Sequence, residues 1–263
     1  MSEASILFDA EGGIARVTLN RPQSLNSFNE EMHQRLSEAM DRIEADRSVR
    51  VLLLTGSGRG FCAGQDLNDR RVRSGSGAPD LGATLENYYN PLVLRLKRLP
   101  LPVVCAVNGV AAGAGANLAL ACDIVIAARS ARFIQSFCKL GLIPDSGGTW
   151  SLPRLVGSAR AAGLSLLGEP LDAARAVEWG LIWKCVEDAD LHRESNALAE
   201  HFAAQPTAGL GRIKQALLAS QGNSLERQLD LERDLQRTSG QSRDYQEGVA
   251  AFLEKRAPRF SGL

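Results

Sequence analysis

The sequence has no surplus of charge of either sign, because its 263 residues include 30 Lys and Arg and 30 Asp and Glu. Nucleic-acid-binding proteins usually carry a basic excess, so this balance argues against nucleic acid as a partner. Binding of an anionic ligand would therefore depend on charged or hydrogen-bonding groups at the binding site itself.

The sequence also lacks cysteines and histidines at the spacing of a metal site. No two cysteines form a Cys-x-x-Cys pair, and the three histidines (His33, His192, His201) lie far from them along the chain. We therefore predict no metal site. Most cysteines stand in apolar runs, which favours reduced, buried thiols and a cytoplasmic protein. The five cysteines are Cys62, Cys105, Cys122, Cys138 and Cys185.

Signals for a membrane or for secretion are missing as well. The first five residues contain an acid and no basic start followed by a long apolar stretch, which is not typical of a signal peptide. The apolar region 103–128 is interrupted by Asn108, Asn117 and Asp123, so it is a poor membrane span. We expect no membrane association.

Enough apolar residues are present for a sizeable core, at 44% of the chain. Alternation over residues 14–19 predicts a strand, and apolar residues at helical spacing over 32–43 predict a helix after it. Short continuous apolar runs indicate parallel strands covered on both faces. These runs are residues 51–54, 103–107 and 124–126.

Two turns rich in small residues follow such runs, at residues 60–67 (GFCAGQDL) and 108–115 (NGVAAGAG). Small residues let a ligand approach the main chain, and N–H groups at a helix start are unpaired donors. Together the turns are suited to holding an oxyanion. Taken singly, each is equally typical of a helix start packed on a strand. A dinucleotide-binding loop at 113–115 is disfavoured, because Leu118 stands where its third glycine would be.

With residues 21–27 (RPQSLNS) and 141–149 (GLIPDSGGT), these turns resemble the crotonase (enoyl-CoA hydratase/isomerase) superfamily over nearly the whole chain. The resemblance implies an α/β fold, with a spiral of ββα units over 1–189 and a helical C-terminal trimerisation subdomain over 190–263. Trimers of the family often pair as hexamers, so the expected partner is the chain itself. Helical segments are predicted near residues 191–204, 208–220, 225–236 and 244–255.

Motif matching implies that the oxyanion donors are the backbone N–H groups of Ala63 and Ala114. Hydratases of the family add water with two glutamates, and the matching positions here are Asn117 and Phe137. Efficient hydration is therefore not expected. Asn117 has an auxiliary role in orienting substrate or water, or else satisfies a buried backbone group.

The remaining carboxylate in a matching motif is Asp145, which the resemblance implies is the general base and acid of a proton shuttle. An alternative is an N-cap of the helix that follows, since Asp is a preferred capping residue. A second alternative is a nucleophile, but that chemistry usually enlists a histidine, and none lies in a matching motif.

The resemblance also implies which residues bind the CoA moiety of an acyl-CoA substrate. No separate cofactor is expected. Arg21 as a solvated cation, Asp66 as a helix cap and Lys255 as a solvated helix end are the competing interpretations. The expected CoA-binding residues are Arg21, Gln23, Ser24, Leu25, Asn26, Gln65, Asp66, Leu67, Phe252 and Lys255.

Residues 60–69, 108–126 and 229–252 are most similar to family members that isomerise the ring-1,2-epoxide of phenylacetyl-CoA to an oxepin. We therefore expect an isomerase of this kind, with a Δ3,Δ2-enoyl-CoA isomerase or a non-catalytic acyl-CoA or RNA binder as alternatives. A Gly/Ser-rich loop at 71–80 lies near the site or is a plain surface connection. Five aromatic residues shape an aryl pocket or serve ordinary packing, namely Tyr88, Tyr89, Phe133, Phe137 and Trp150.

Overall fold

A computed structural model describes residues 4–68 and 80–263 of the chain. Within these ranges ten strands form two sheets. All strand segments expected from the apolar runs are present, and the structure adds an N-terminal strand and several short strands. The strands are β1 (Ile6–Glu11), β2 (Ile14–Leu19), β3 (Val51–Gly56), β4 (Gly60–Cys62), β5 (Val103–Val107), β6 (Val110–Ala112), β7 (Ile124–Ala128), β8 (Arg132–Ile134), β9 (Leu171–Asp172) and β10 (Lys184–Val186).

The strands are distributed between the sheets in pairs. The larger sheet has the order β1-β2-β3-β5-β7-β10, and the smaller sheet has the order β4-β6-β8-β9. Each consecutive pair β3–β4, β5–β6 and β7–β8 contributes its first strand to the larger sheet and its second to the smaller. A helical region follows each pair, so the chain climbs in ββα turns, which confirms the expected spiral.

Parallel pairing in the smaller sheet positions the two small-residue turns. Strand β4 pairs with β6, and β6 pairs with β8, all in parallel. Because the carboxyl ends of parallel strands lie at one edge, the residues that follow these three strands meet there. The first turn, the second turn and residues 135–137 are therefore brought to the same edge of the sheet.

The helices match the expected segments closely in the C-terminal part of the described chain. They are α1 (Glu30–Ala45), α2 (Leu81–Thr84), α3 (Asn90–Arg98), α4 (Ala114–Ala121), α5 (Gly148–Leu167), α6 (Ala173–Glu178), α7 (Leu191–Ala203), α8 (Thr207–Ser220), α9 (Leu225–Gly240) and α10 (Arg243–Glu254). A five-residue π-helical turn, Leu85–Tyr89, joins α2 to α3.

The core has two parts, one on each face of the larger sheet. The main cluster lies between the two sheets and helices α1, α3 and α4. The second cluster includes Leu191 and Ala199 of α7, packed on Val51, Leu53 and Val104. Helix α7 thus covers the second face of the larger sheet, because side chains of β3 and β5 alternate toward both faces. The helix follows the predicted domain boundary at residue 189 but packs on the sheet.

The last three helices bury little of their own surface. Helix α8 buries only Thr207, α9 buries no residue, and α10 buries Asp244 and Ala251. Their apolar side chains, among them Ile213, Leu217 and Phe252, are exposed. No helix in the described part of the chain is long and apolar enough to span a membrane.

Candidate active site

The first small-residue turn is held by a backbone bridge to the loop before α1. Phe28 N–H donates to the Gly64 carbonyl at 2.7 Å, and Asp66 N–H donates to the Phe28 carbonyl at 2.8 Å. In an extended chain the intervening residue points its N–H the opposite way. The Gln65 N–H therefore faces away from Phe28, and it has no backbone acceptor within residues 4–68 and 80–263.

The expected donor of this turn, Ala63, is already occupied. Its N–H donates to the Leu25 carbonyl at 2.9 Å, so it is not available to a substrate oxygen. The prediction of Ala63 as an oxyanion donor is wrong in this structure, because motif matching does not show which way each N–H points along an extended segment. The N–H of Gln65, two residues further on, has no backbone acceptor among residues 4–68 and 80–263.

The second turn supplies the partner donor at the start of α4. Ala114 is the first residue of the helix, and an N–H at that position has no carbonyl one turn earlier to pair with. Ala114 is nevertheless buried. The helix dipole adds partial positive charge at this end.

The two turns lie against each other. A Cβ atom built on Gly64, whose φ is +88°, would lie 2.9 Å from the Ala112 carbonyl oxygen and 3.3 Å from the Ala114 nitrogen. A Cβ built on Gly115 would lie 2.7 Å from Cys62 Sγ. Both positions therefore require glycine, and the Gln65 N–H, one residue after Gly64, belongs to the turn that packs on the start of α4. Two donors that converge on one point are what an enolate oxygen requires.

Cys62 lies beneath the first turn and takes no part in nucleophilic chemistry. Its thiol accepts a hydrogen bond from Gly64 N–H at 3.4 Å. Burial raises the pKa of this thiol to about 12, and the Gly64 hydrogen bond lowers it by less. The thiol therefore stays protonated at neutral pH, and only the thiolate would be a competent nucleophile.

Asp145 lies half-buried in the loop before α5. The N-cap residue of α5 is Gly147, which has no side chain to bond the first turn. Asp145 therefore does not occupy the N-cap position that the alternative assigned to it. Its carboxylate instead accepts a hydrogen bond from the Ser146 hydroxyl at 2.9 Å, while its backbone carbonyl accepts from Gly148 N–H at 2.8 Å.

Asn117 ties α4 to this loop. Its amide nitrogen donates to the Asp145 carbonyl oxygen at 2.8 Å, and its amide oxygen accepts from Gln135 Nε2 at 2.8 Å. The side chain is 2% exposed. Both halves of the amide are thus engaged, which fits the interpretation that Asn117 satisfies a buried backbone group and sets the position of Asp145.

Asn117→Asp is expected to destabilise the protein by about 2 kcal/mol or more, because it replaces a donor by an acceptor beside the Asp145 carbonyl in a buried place. Turnover should fall too, since the Asp145 loop loses its tie to α4. Urea unfolding and single-turnover assays measure both effects. Asn196→Asp, a half-exposed amide change on α7, is the control and should change neither. Unaltered stability in Asn117→Asp would show that the tie is dispensable.

Arg21 and Asp66 form an ion pair at 2.9 Å, with side chains 16% and 8% exposed. The guanidinium also donates to the Ser27 carbonyl. Asp66 accepts from the backbone and side chain of Asn68. Arg21 is therefore not a solvated cation. Asp66 forms an Asx turn with Asn68 and pairs with Arg21 at the same time.

The other expected CoA contacts of the first loop are placed differently. Asn26 is fully buried, accepting from Arg21 N–H and donating to the carbonyls of Ser57 and Gly60. It stabilises the loop from inside. The Leu25 carbonyl accepts from Ala63 N–H. Gln23 is exposed and the next residue, Ser24, is half-buried.

The remaining CoA candidates are exposed side chains. Leu67 follows the first turn and is 55% exposed, and Phe252 on α10 is 83% exposed. Phe252 lies in a C-terminal groove with Tyr245 and Phe260, and Lys255 ends the same helix. The structure of one chain does not bring these two residues to the small-residue turns.

Of the five aromatic residues considered for an aryl pocket, Phe137 lies beside the second turn. A Cβ built on Gly113 would lie 3.7 Å from its ring. Phe133 is in the core, and Trp150 is partly exposed under Arg154 at 4.4 Å. Tyr88 and Tyr89 contact His33, with ring centroids 4.9 and 4.6 Å away. The Gly/Ser-rich loop lies outside the described residues, except for Asp80, which caps α2.

No cluster of three or more His, Cys, Asp or Glu side chains in the described ranges is arranged to hold a metal ion. His33 stacks on Phe28 with ring centroids 4.7 Å apart. His192 and His201 lie on α7, which covers the second face of the larger sheet. No pattern in the sequence predicts the aromatic cluster around His33.

Two small-residue turns in contact at one edge of the smaller sheet of a ββα spiral, with Asp145 on a loop tied to α4, are typical of a class of proteins that act on CoA thioesters. Residues 9–262 match the family described as Enoyl-CoA hydratase/isomerase. The chain belongs to this family, which confirms the resemblance to the crotonase superfamily that the motifs showed.

The relatives include a protein of Escherichia coli K12 named 1,2-epoxyphenylacetyl-CoA isomerase, which is 62% identical over 98% of both chains. A probable enoyl-CoA hydratase of Rhodobacter capsulatus is 47% identical over the full length of both. A trans-2-decenoyl-[acyl-carrier-protein] isomerase of Streptococcus mutans is 34% identical over the full length of both.

Solved structures agree with the fold. A putative enoyl-CoA hydratase/isomerase of Mycobacterium abscessus has a TM-score of 0.92 and 34% identity, covering 98% of this chain and 100% of its own. A putative enoyl-CoA hydratase of Streptomyces coelicolor has a TM-score of 0.91 and 34% identity, covering 100% and 96%. The α/β spiral predicted from the sequence is thereby confirmed.

Proposed function

We propose that the protein isomerises ring-1,2-epoxyphenylacetyl-CoA to the oxepin-CoA, 2-oxepin-2(3H)-ylideneacetyl-CoA. The observation that carries the proposal is the contact of the first turn at Gly64 with the start of α4 at Ala114, at one edge of the smaller sheet, with Asp145 on the loop tied to α4. The Escherichia coli relative named 1,2-epoxyphenylacetyl-CoA isomerase supports the choice of acyl group.

The reaction is an isomerisation, so no atom is gained or lost. Cleavage of the carbon–carbon bond shared by the epoxide and the carbocycle expands the ring to seven members by redistributing electrons. One proton also leaves the α-carbon of the thioester and is added to a ring carbon. Asp145 takes up and returns this proton.

The two N–H groups lower the barrier by holding the thioester oxygen as it gains charge. Their hydrogen bonds strengthen as the carbonyl becomes an enolate, which is the condition for stabilising the transition state rather than the ground state. Burial of Ala114 keeps water from competing with the oxygen for the donor.

Addition of water is disfavoured at this site. Asn117 stands where hydratases carry one glutamate, and its amide is occupied by Asp145 and Gln135. Phe137 stands at the other position and presents an apolar ring beside Gly113. Neither residue can activate a water molecule as a carboxylate does.

A Δ3,Δ2-enoyl-CoA isomerase is the second candidate, because it needs the same base and the same donors. The relative named trans-2-decenoyl-[acyl-carrier-protein] isomerase favours keeping it. We propose that the exposed Gln23 and Leu67, with the half-buried Ser24, contact the CoA moiety. Phe252 and Lys255 would contact it from a neighbouring subunit.

We also propose that the chain assembles as a trimer or a pair of trimers through its C-terminal helices. A groove of about 780 Å³ lies between α5, α8 and the larger sheet, and its lining includes Leu155, Trp183, Ile213 and Leu217. All four side chains are exposed in the single chain. Apolar faces of this extent are typical of surfaces covered by a partner, and a second copy of the chain is the proposed occupant.

Sedimentation of the protein at micromolar concentration is expected to give the mass of three or six chains. Leu217→Glu, which puts a charge into the groove, should shift the mass toward the monomer, whereas Leu7→Glu, on exposed β1, should not. A monomeric wild-type protein would contradict the assembly.

The activity is tested by single-turnover assays of the wild-type protein with the ring-epoxide CoA ester, a 3-enoyl-CoA and a 2-enoyl-CoA. We expect rapid conversion of the first, slower conversion of the second and negligible hydration of the third. Preference for the 3-enoyl ester would select the second candidate. Stoichiometric binding without turnover of any ester would indicate a binding protein, and retention of RNA that is lost in modest salt would indicate the nucleic-acid alternative.

A further inference from the structure

The π-helical turn Leu85–Tyr89 separates two adjacent tyrosines into different environments. Tyr88 is half-buried, and its hydroxyl donates to Glu30 at 3.4 Å. Tyr89 is 1% exposed, although it carries a polar hydroxyl. A π turn inserts one extra residue into a helix and is frequent at functional sites. Here it turns the second tyrosine inward.

The Tyr89 hydroxyl donates to the side-chain oxygen of Gln65 at 2.9 Å. This is the residue whose backbone N–H has no backbone acceptor in the described chain, and it follows Gly64, which packs against Ala114. The Tyr89 ring is itself fixed, because it meets Phe28 and His33 edge to face at 5.8 and 4.6 Å. The same Phe28 holds the backbone on both sides of Gln65.

Gln65 is therefore restrained twice, through its backbone neighbours by Phe28 and through its side chain by Tyr89. An N–H donor stabilises a developing oxyanion only when its direction is set before the reaction, since reorientation would cost part of the gain. The backbone bridge fixes the chain on either side of Gln65, and the tyrosine prevents rotation of the residue between them.

We infer that Tyr89 is a positioning residue, which orients the Gln65 N–H toward the thioester oxygen through the Gln65 side chain. The inference rests on the proposed function, because it assigns the Gln65 N–H to the substrate carbonyl. The inference adds Tyr89, which lies in the π-helical turn 24 positions after Gln65, to the residues that orient the first small-residue turn.

The test uses phenylacetyl-CoA labelled with ¹³C at its carbonyl. This ester has acidic α-protons but no epoxide, so it forms the enolate without being consumed. Infrared spectroscopy of the bound ester reports hydrogen bonding to the carbonyl as a shift to lower frequency. Exchange of the α-protons in D₂O reports enolate formation, and titration reports the Kd.

The variants remove the same hydrogen bond from either side. Tyr89→Phe deletes the hydroxyl, and Gln65→Met deletes its acceptor while keeping the backbone N–H and a similar length. Tyr88→Phe is the matched control, because it removes the neighbouring hydroxyl. Thermal unfolding of each variant establishes that it is folded.

We expect Tyr89→Phe and Gln65→Met each to reduce the infrared shift and to slow α-proton exchange about tenfold, which is the effect of one neutral hydrogen bond. The Kd should change less than twofold. The double variant should be no slower than either single variant, because both remove one interaction. Tyr88→Phe should match the wild-type protein.

An infrared shift and exchange rate in Tyr89→Phe equal to the wild-type values would overturn the positioning role while leaving the proposed function standing. Equal losses in Tyr88→Phe and Tyr89→Phe would also overturn it, as they would indicate general loosening of the aromatic cluster. A wild-type protein that neither shifts the carbonyl nor exchanges the α-protons would overturn the proposed function and this inference with it.

Discussion

Asp145→Asn is expected to lower single turnover by about 10²- to 10⁴-fold, the range that a positioned general base contributes. An amide has the size and shape of the carboxylate but cannot accept and return a proton at neutral pH. The Ser146 hydroxyl can still donate to the amide oxygen that replaces the carboxylate oxygen. Binding of the CoA ester should therefore persist while chemistry is lost.

The same substitution should leave the free energy of unfolding almost unchanged. Asp145 is not the N-cap residue of α5, and its backbone carbonyl accepts the bonds from Asn117 and Gly148 that hold the loop, which the substitution keeps. Urea unfolding and single-turnover assays measure the two quantities side by side. Asp172→Asn is the control, since that aspartate caps α6 and Asn caps equally well. Turnover undiminished in Asp145→Asn would mean that another group moves the proton.

Arg21→Met is expected to reduce the free energy of unfolding by about 3 kcal/mol, because it leaves the Asp66 carboxylate buried without its cation. Burial raises the pKa of Asp66, but the hydrogen bond and charge of Arg21 and the bonds from Asn68 outweigh it, so the pKa is lowered. A lowered pKa stabilises the fold above the unfolded-state value near 3.9. The gap between wild type and Arg21→Met should therefore be full at pH 7 and shrink below about pH 4.

This result would separate the two roles considered for Arg21. A residue that only bound CoA phosphate would raise KM when replaced and leave unfolding unchanged. Urea unfolding from pH 3 to pH 7 and KM for the CoA ester are the measurements. The double variant Arg21→Met/Asp66→Asn removes both charges and should recover part of the lost stability. Unfolding of Arg21→Met that coincides with wild type at pH 7 would return Arg21 to the CoA site.

Much of the fold follows from local patterns in the chain. The alternation over residues 14–19 and the apolar runs that begin at Val51, Val103 and Ile124 predicted four strands of the larger sheet, because burial of a strand on one or both faces constrains its own residues. The helices of the C-terminal part were predicted within one residue at each end, except that α9 runs four residues further than expected, since apolar spacing at the helical period is also local. The short strands of the smaller sheet were not, because three residues carry too little pattern.

Within the site, the sequence located the segments but not the directions of their groups. Ala114 lies at the first position of α4, as the motif implied, whereas Ala63 gives its N–H to Leu25 and Gln65 takes its place. Arg21 and Asn26 were assigned to CoA by the motif, yet both make hydrogen bonds that hold the loop together. Their partners are 45 and 34 residues away, which no local pattern reveals.

By itself the sequence determined the class of fold, the family, the two turns that converge and the single carboxylate left for proton transfer, because these depend on residue types and their spacing. Only the tertiary structure decided which N–H of the first turn is free, that Asn117 supports the backbone of Asp145, and that Tyr89 reaches Gln65. Hydrogen bonds depend on direction as well as on residue type. Direction is set by strands and helices that pack together from distant parts of the chain.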